Sequence, residues 1–164
     1  NIDNKSLKQT NVKEEIAEIE SISGASMYFN AIQFDTIGGF DENFFLYFEE
    51  SDFCIRSYKK NKNYQINTIK IKHNVGTSVV SKNIIEKKKI ENLYTWHFIW
   101  SKFYYHKKHY SYLGALIYFS PIIIRIIFRI VYYSFKKDIK KIEKYKIRWS
   151  GLMNSIRGNK SYKR

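Results

Sequence analysis

GGFDENFFLYFEESDFCIR, running from Gly38 to Arg56, is the stretch on which the reading of this chain turns. Gly38-Gly39 is a turn signal, because glycine alone takes left-handed backbone freely. Behind it, Phe40, Phe44, Phe45, Tyr47 and Phe48 require a core or a sugar-stacking wall, whereas Glu49, Glu50 and Asp52 require solvent, a metal or a proton to move. From Glu49 onward the spacing of Phe48, Asp52, Ile55 and Tyr58 predicts an amphipathic helix. Its acids come first and Arg56, Lys59 and Lys60 last, the order that the helix macrodipole favours. The carboxylates have two readings: the acidic first turn of a helix, or a cluster pressed against aromatics, where pKa values shift and proton transfer is built.

The flanks read outward from that block. Asn1 to Glu20 is polar, with a weak amphipathic run near Val12 to Ile19, and is expected to be a loop or a short helix. Ser21 to Asn30 alternates loosely around Ile22, Met27 and Phe29 and predicts a strand whose small residues, Gly24 and Ala25, let another group approach closely. Ala31 to Ile37 predicts a short helix ended by Gly38-Gly39. After the break at Asn61 to Asn63, Tyr64 to Lys72 predicts a strand that delivers His73 to its end.

Three ordered blocks, Ser23-Gly24-Ala25, Gly38 to Arg56 and His73 to Ser78, resemble the C-terminal half of the family 2 glycosyltransferases, the GT-A type, rhamnosyltransferase-like inverting enzymes of bacterial polysaccharide synthesis. The resemblance covers Ile22 to Ser81. It implies an α/β fold, the C-terminal half of a Rossmann-like GT-A domain, followed by an amphipathic helical tail. It implies a nucleotide-sugar donor and a lipid-linked or polysaccharide acceptor, with Gly24, Ala25, Gly39, Phe40 and Asp41 beside the substrates. An inverting transfer needs one base to take the acceptor hydroxyl proton. In the family that base is the Asp of a Glu-Asp pair opening the helix, and Phe48-Glu49-Glu50-Ser51-Asp52 puts Glu50 there. Glu50 is one methylene longer than the Asp it replaces, which moves the carboxylate by about 1 Å. Glu49 and Asp52 are expected to orient the site or cap the helix. His73 is a candidate metal ligand, since a neutral imidazole binds divalent cations. The implied cofactor is Mg or Mn, held mainly by a nucleotide-binding half with an Asp-x-Asp motif. Neither that half nor the motif is in the sequence, and Asn1 stands where a Met would begin a complete protein, so the chain is expected to be a fragment, inactive alone.

Charge divides the sequence. Residues 1–81 carry nine Lys and Arg against eleven Asp and Glu, or −2, and residues 82–164 carry twenty against four, or +16. The acidic part is expected to be a partial catalytic domain and the basic part a membrane-associating region on the cytoplasmic face of the cell membrane. With no nucleic-acid-binding motif present, anionic lipid is favoured over nucleic acid as the partner. The single cysteine, Cys54, cannot close an internal disulfide and points to a reducing compartment.

Ile84 to His109 and Tyr112 to Tyr133 predict two long helices, the second strongly apolar and expected to kink at Pro121. The charge-free run Tyr112 to Ile124 has 13 residues, short of the roughly 20 that a spanning helix requires. Arg125 and Arg129 suit a helix lying in the membrane interface, and a buried hairpin of an ordinary domain is the alternative. A non-catalytic, membrane-peripheral glycan-binding module is the competing reading of the whole chain.

Overall fold

The computed structural model describes residues 15–73 and 83–161. They fall into two compact units, one of residues 15–40 with 50–73 and the other of residues 41–49 with 83–161. The described residues are mostly helical, and their sheet has only two antiparallel strands. The expected α/β architecture with a Rossmann-like GT-A sheet is therefore overturned. Parallel sheets are built from near-continuous apolar strands covered on both faces. Here Gly24 and Asn30 interrupt one expected strand, and Asn67, Thr68 and Lys70 the other.

In the first unit, β1 (Ile16–Ile19) pairs with β2 (Asn63–Ile66), placing Ile16 opposite Ile66 and Ile19 opposite Asn63. β1 lies where a loop or short helix was expected, and its residues alternate between more and less exposed, as a strand requires. Glu18 ties the pair together by accepting from Tyr58 Oη at 2.7 Å and Lys62 Nζ at 2.6 Å. Ser21 to Asn30 is irregular rather than a strand, with a turn in which the Ser26 amide donates to the Ser23 carbonyl. β2 stops at Ile66, so His73 stands beyond an irregular segment and not at a strand end.

Both short helices form as the spacing predicts. α1 (Ala31–Ile37) is capped by Asn30, whose Oδ1 accepts from the Ile32 amide at 2.9 Å, and it ends on Gly38 at φ 92°. α2 (Glu49–Tyr58) is the hub of the first unit. Phe53, 3% exposed, meets Phe29, Phe34 and Phe40 at ring distances of 5.6, 5.3 and 5.1 Å. Asn63 binds back to α2, its side-chain amide donating to the Cys54 carbonyl at 3.0 Å and to the Glu20 carbonyl at 3.1 Å.

The second unit is built on α3 (Ile84–Tyr110), α4 (Tyr112–Phe135) and α5 (Ile139–Ile156). Asn83 caps α3 and Asp138 caps α5 through side-chain oxygens, and Ser111, at φ 96°, closes the α3–α4 turn by accepting from the Gly114 amide. The core is Ile99 and Phe103 of α3, Ala115, Phe119 and Ile126 of α4, and Leu152 of α5. α4 continues through Pro121 as helix. Proline leaves the carbonyl four residues earlier without its amide donor; that carbonyl, of Ile117, accepts from Ser120 Oγ at 2.8 Å.

Gly151, in mid-helix on α5, lies directly against α3. A Cβ there would stand 2.6 Å from the Trp96 carbonyl oxygen and 2.7 Å from Ile99 Cγ2. Backbone cannot yield as a side-chain tip does. Gly151→Ala is therefore expected to destabilise the protein by about 2 kcal/mol despite alanine's better helix propensity. A lower thermal midpoint checks this; an unchanged or higher one means that the helices separate freely.

Candidate active site

The carboxylate cluster of the sequence is divided by the fold. α2 presents Glu50 and Cys54, four residues apart, on one face, and the irregular segment Ile22 to Ala25 lies along that face. The Ile22 amide donates to Cys54 Sγ at 3.4 Å, and a Cβ on Gly24 would sit 3.5 Å from Cβ and Cγ of Glu50. The Ser-Gly-Ala turn thus rests on the Glu50 side chain, and glycine allows it to lie that close. Burial raises the Cys54 thiol pKa, opposed by the Ile22 and Ser21 hydrogen bonds, so the group stays a neutral thiol.

A neighbouring face of α2 carries Asp52, fully buried, and Arg56 one turn later. Arg56 Nε donates to Asp52 Oδ2 at 2.9 Å, Nη1 to the Ile37 carbonyl at 2.8 Å and Nη2 to the Gly39 carbonyl at 2.6 Å. The planar guanidinium fork fits this task. Asp52 orients Arg56, and Arg56 holds the end of α1 and the Gly38-Gly39 turn against α2. Asp52, expected to orient the site or cap the helix, is held by Arg56 in this geometry. Gly39 contributes its carbonyl to the same network, and Phe40 its ring to the aromatic cluster around Phe53.

Asp41 and Glu49 belong to the second unit. Asp41 Oδ1 accepts from the Asn43 backbone and side-chain nitrogens at 2.9 and 2.7 Å, and Oδ2 accepts from Lys108 Nζ at 2.7 Å and Tyr104 Oη at 3.0 Å. Burial opposes ionisation, but these donors outweigh it and bring the carboxyl pKa down to about 2. A carboxylate with a depressed folded pKa adds stability that is present above about pH 4 and lost as pH falls from there towards about 2. The contribution is on the order of 1 kcal/mol once solvent screening of Lys108 is allowed for. Asp41→Asn is expected to lower stability at pH 7 and to flatten its fall between pH 4 and 2; an identical acid profile in the two proteins would contradict the pairing.

The loop from Asp41 to Phe48 is fastened at several points within the second unit. Ser101 Oγ donates to the Leu46 carbonyl at 2.7 Å, Phe44 meets Tyr104 edge-on, and Ser161 Oγ donates to the Asn43 carbonyl. Its last two residues, Tyr47 at φ 67° and Phe48 at φ 72°, are both left-handed, a rare state for bulky side chains. Each costs on the order of 1–2 kcal/mol. Ring contacts offset that cost: Tyr47 with Tyr94 and Phe98, Phe48 with Phe98 and Tyr105. The strained pair immediately precedes Glu49 in the sequence. Glu49 Oε2 is buried there and has no hydrogen-bond partner among the described residues.

A cavity of about 430 Å³ opens in the first unit, lined among others by Ser23, Ala25, Tyr28, Tyr64, Gln65 and His73. Four isoleucines share the wall with hydroxyls, an amide, an imidazole and two tyrosine rings, so it is mixed apolar and polar. The fold thereby brings Ala25 and His73 to one cavity and Gly24 onto Glu50. Gly76 and Ser78, the rest of the His-x-x-Gly-x-Ser block, lie outside the described residues. His73 is exposed, and among the described residues no three His, Cys, Asp or Glu side chains come together to hold a metal ion. Comparison with protein-family models, with curated proteins and with solved structures finds no match.

Two features escape sequence reasoning. Arg56 reads there only as a basic residue at a helix end, although the Asp52–Arg56 spacing of four is itself an ion-pair signal. The left-handed pair Tyr47-Phe48 has no signal, because nothing in its residue types favours that backbone.

Proposed function

We propose that this chain carries the acceptor-side, base-bearing part of an inverting glycosyltransferase that uses a nucleotide-sugar and acts on a lipid-linked or polysaccharide acceptor. The observation that carries the reading is the seat of the Ser23-Gly24-Ala25 turn on Glu50, which joins two of the three motif blocks around one carboxylate. The third block begins at His73, on the cavity that Ser23 and Ala25 also line. The reading rests on these residues and requires no Rossmann-like sheet in the described part. Glu50 takes the proton from the acceptor hydroxyl as its oxygen attacks the anomeric carbon, and the nucleoside diphosphate leaves from the opposite side. Tyr28 and Tyr64 offer ring faces to the acceptor sugar. Asp52 and Arg56 hold the Gly38-Gly39 turn in place.

The test joins this chain to a nucleotide-binding half and follows sugar transfer to lipid-linked acceptors. Transfer that depends on Glu50 supports the proposal, and acceptor binding without transfer favours a glycan-binding module. That second reading draws on the nearly complete exposure of Tyr28, 96%, which suits stacking on a glycan whether or not chemistry follows.

A further inference from the structure

In the second unit, α4 leaves one face open along its whole length. Leu113, Ile117, Ile124, Phe128, Val131 and Phe135 recur at spacings of three, four and seven, one face of a helix, and each is at least 48% exposed. At 1.5 Å per residue the stripe runs about 33 Å. The opposite side, with Ala115, Phe119 and Ile126, is buried against α3 and α5. An uncovered apolar stripe of this length marks an interaction surface.

One edge of the stripe is basic and aromatic. Tyr118, Arg125, Arg129 and Tyr132 follow one another along that flank of α4. Lys102 Nζ lies 5.5 Å from the Tyr118 ring centre and Lys136 Nζ 5.0 Å from that of Tyr132. Arg129 donates to Tyr133 Oη at 3.0 Å, and Lys141 also stands over that ring. Amphipathic rings and long-stemmed cations beside an apolar stripe are what the boundary between headgroups and acyl chains accommodates.

We infer that α4 lies in the plane of an anionic lipid bilayer, with its open stripe among the acyl chains and the Tyr118 to Tyr132 flank at the headgroups. The inference stands on the second unit and does not depend on the glycosyl transfer reading. Charge selects this occupant: α4 has no Asp or Glu, and residues 82–164 carry +16. A second copy of α4 would offer Arg125 and Arg129 no carboxylate, whereas anionic headgroups pair with both. Among the described residues α4 is the one helix long and apolar enough to cross a membrane. Crossing would draw its packed neighbour α5, with Lys140, Lys141, Lys144, Lys146 and Arg148, towards the hydrocarbon, which strongly disfavours charge.

The experiment uses the full chain with vesicles of phosphatidylcholine alone or mixed with phosphatidylglycerol. Binding is expected to be much stronger to the mixed vesicles, weakening with salt towards the lower level seen with phosphatidylcholine alone, because burial of the stripe is not screened. Ile117→Glu with Phe128→Glu is expected to reduce affinity at least tenfold at every salt concentration. Arg125→Gln with Arg129→Gln should reduce it on the order of tenfold at low salt only. Unchanged far-ultraviolet circular dichroism keeps these comparisons valid. Spin labels at Ile117→Cys, Ile124→Cys and Phe128→Cys should report one shallow depth, Cys54 being too buried to label. No binding to mixed vesicles at low salt overturns the inference. So does removal of all binding by salt, a depth graded from 117 to 128, or a soluble dimer that the two glutamates dissociate.

Discussion

Replacing Asp52 with alanine is expected to remove about 3–5 kcal/mol of stability, the usual cost of deleting one partner of a buried ion pair. The size follows from what remains behind. Asp52 is fully buried, and the Arg56 side chain is only 21% exposed, so water regains little of the lost interaction. Without Asp52 Oδ2, the guanidinium loses the bond that aims its other two nitrogens at the carbonyls of Ile37 and Gly39. The end of α1, the Gly38-Gly39 turn and the packing of Phe40 on Phe53 then loosen together. Arg56→Lys should also be costly, because one ammonium cannot serve three acceptors in the geometry of a planar fork. Such a loss is a large share of ordinary domain stability. Urea denaturation followed by a probe in the first unit measures it. A change below about 1 kcal/mol would mean that the pair is not what holds this turn.

The chain shows where local signals suffice and where they do not. α1 was legible because its beginning and end are chemical: an Asn that caps and a glycine that turns left-handed. α2, α3 and α4 were legible because helical periodicity extends over several turns, and α4 keeps its continuity at Pro121 through a single hydroxyl. The sheet is legible only in part: Tyr64 to Ile66 forms the strand that its alternation predicts, whereas Asn67 to Lys72 and Ser21 to Asn30 are irregular, because alternation alone does not supply a partner strand. The partner that exists, Ile16–Ile19, reads in sequence as a loop or short helix because four residues leave too short a pattern to distinguish a strand from a helical turn. The carboxylates were recognised as a group, yet their sorting was out of reach. The Asp52–Arg56 pair is local, but which acid meets Lys108 and which meets Gly24 depends on packing between residues far apart in sequence.

Glu50→Gln is expected to lower the turnover of sugar transfer by roughly 100- to 10,000-fold, the range that a positioned general base supplies. The amide keeps the length and shape of the side chain, so the Gly24 turn still has its seat and acceptor binding is retained; only proton uptake is lost. Glu50→Asp retracts the carboxylate by about 1 Å and is expected to retain more activity than the amide, since it keeps the proton acceptor. The most direct measurement is single-turnover transfer from a nucleotide-sugar to a lipid-linked acceptor by the chain joined to a nucleotide-binding half, wild type against Glu50→Gln. The account predicts product from the wild type and at least a 100-fold slower chemical step from the variant; equal rates, or a wild-type protein that binds acceptor and transfers nothing, would contradict it.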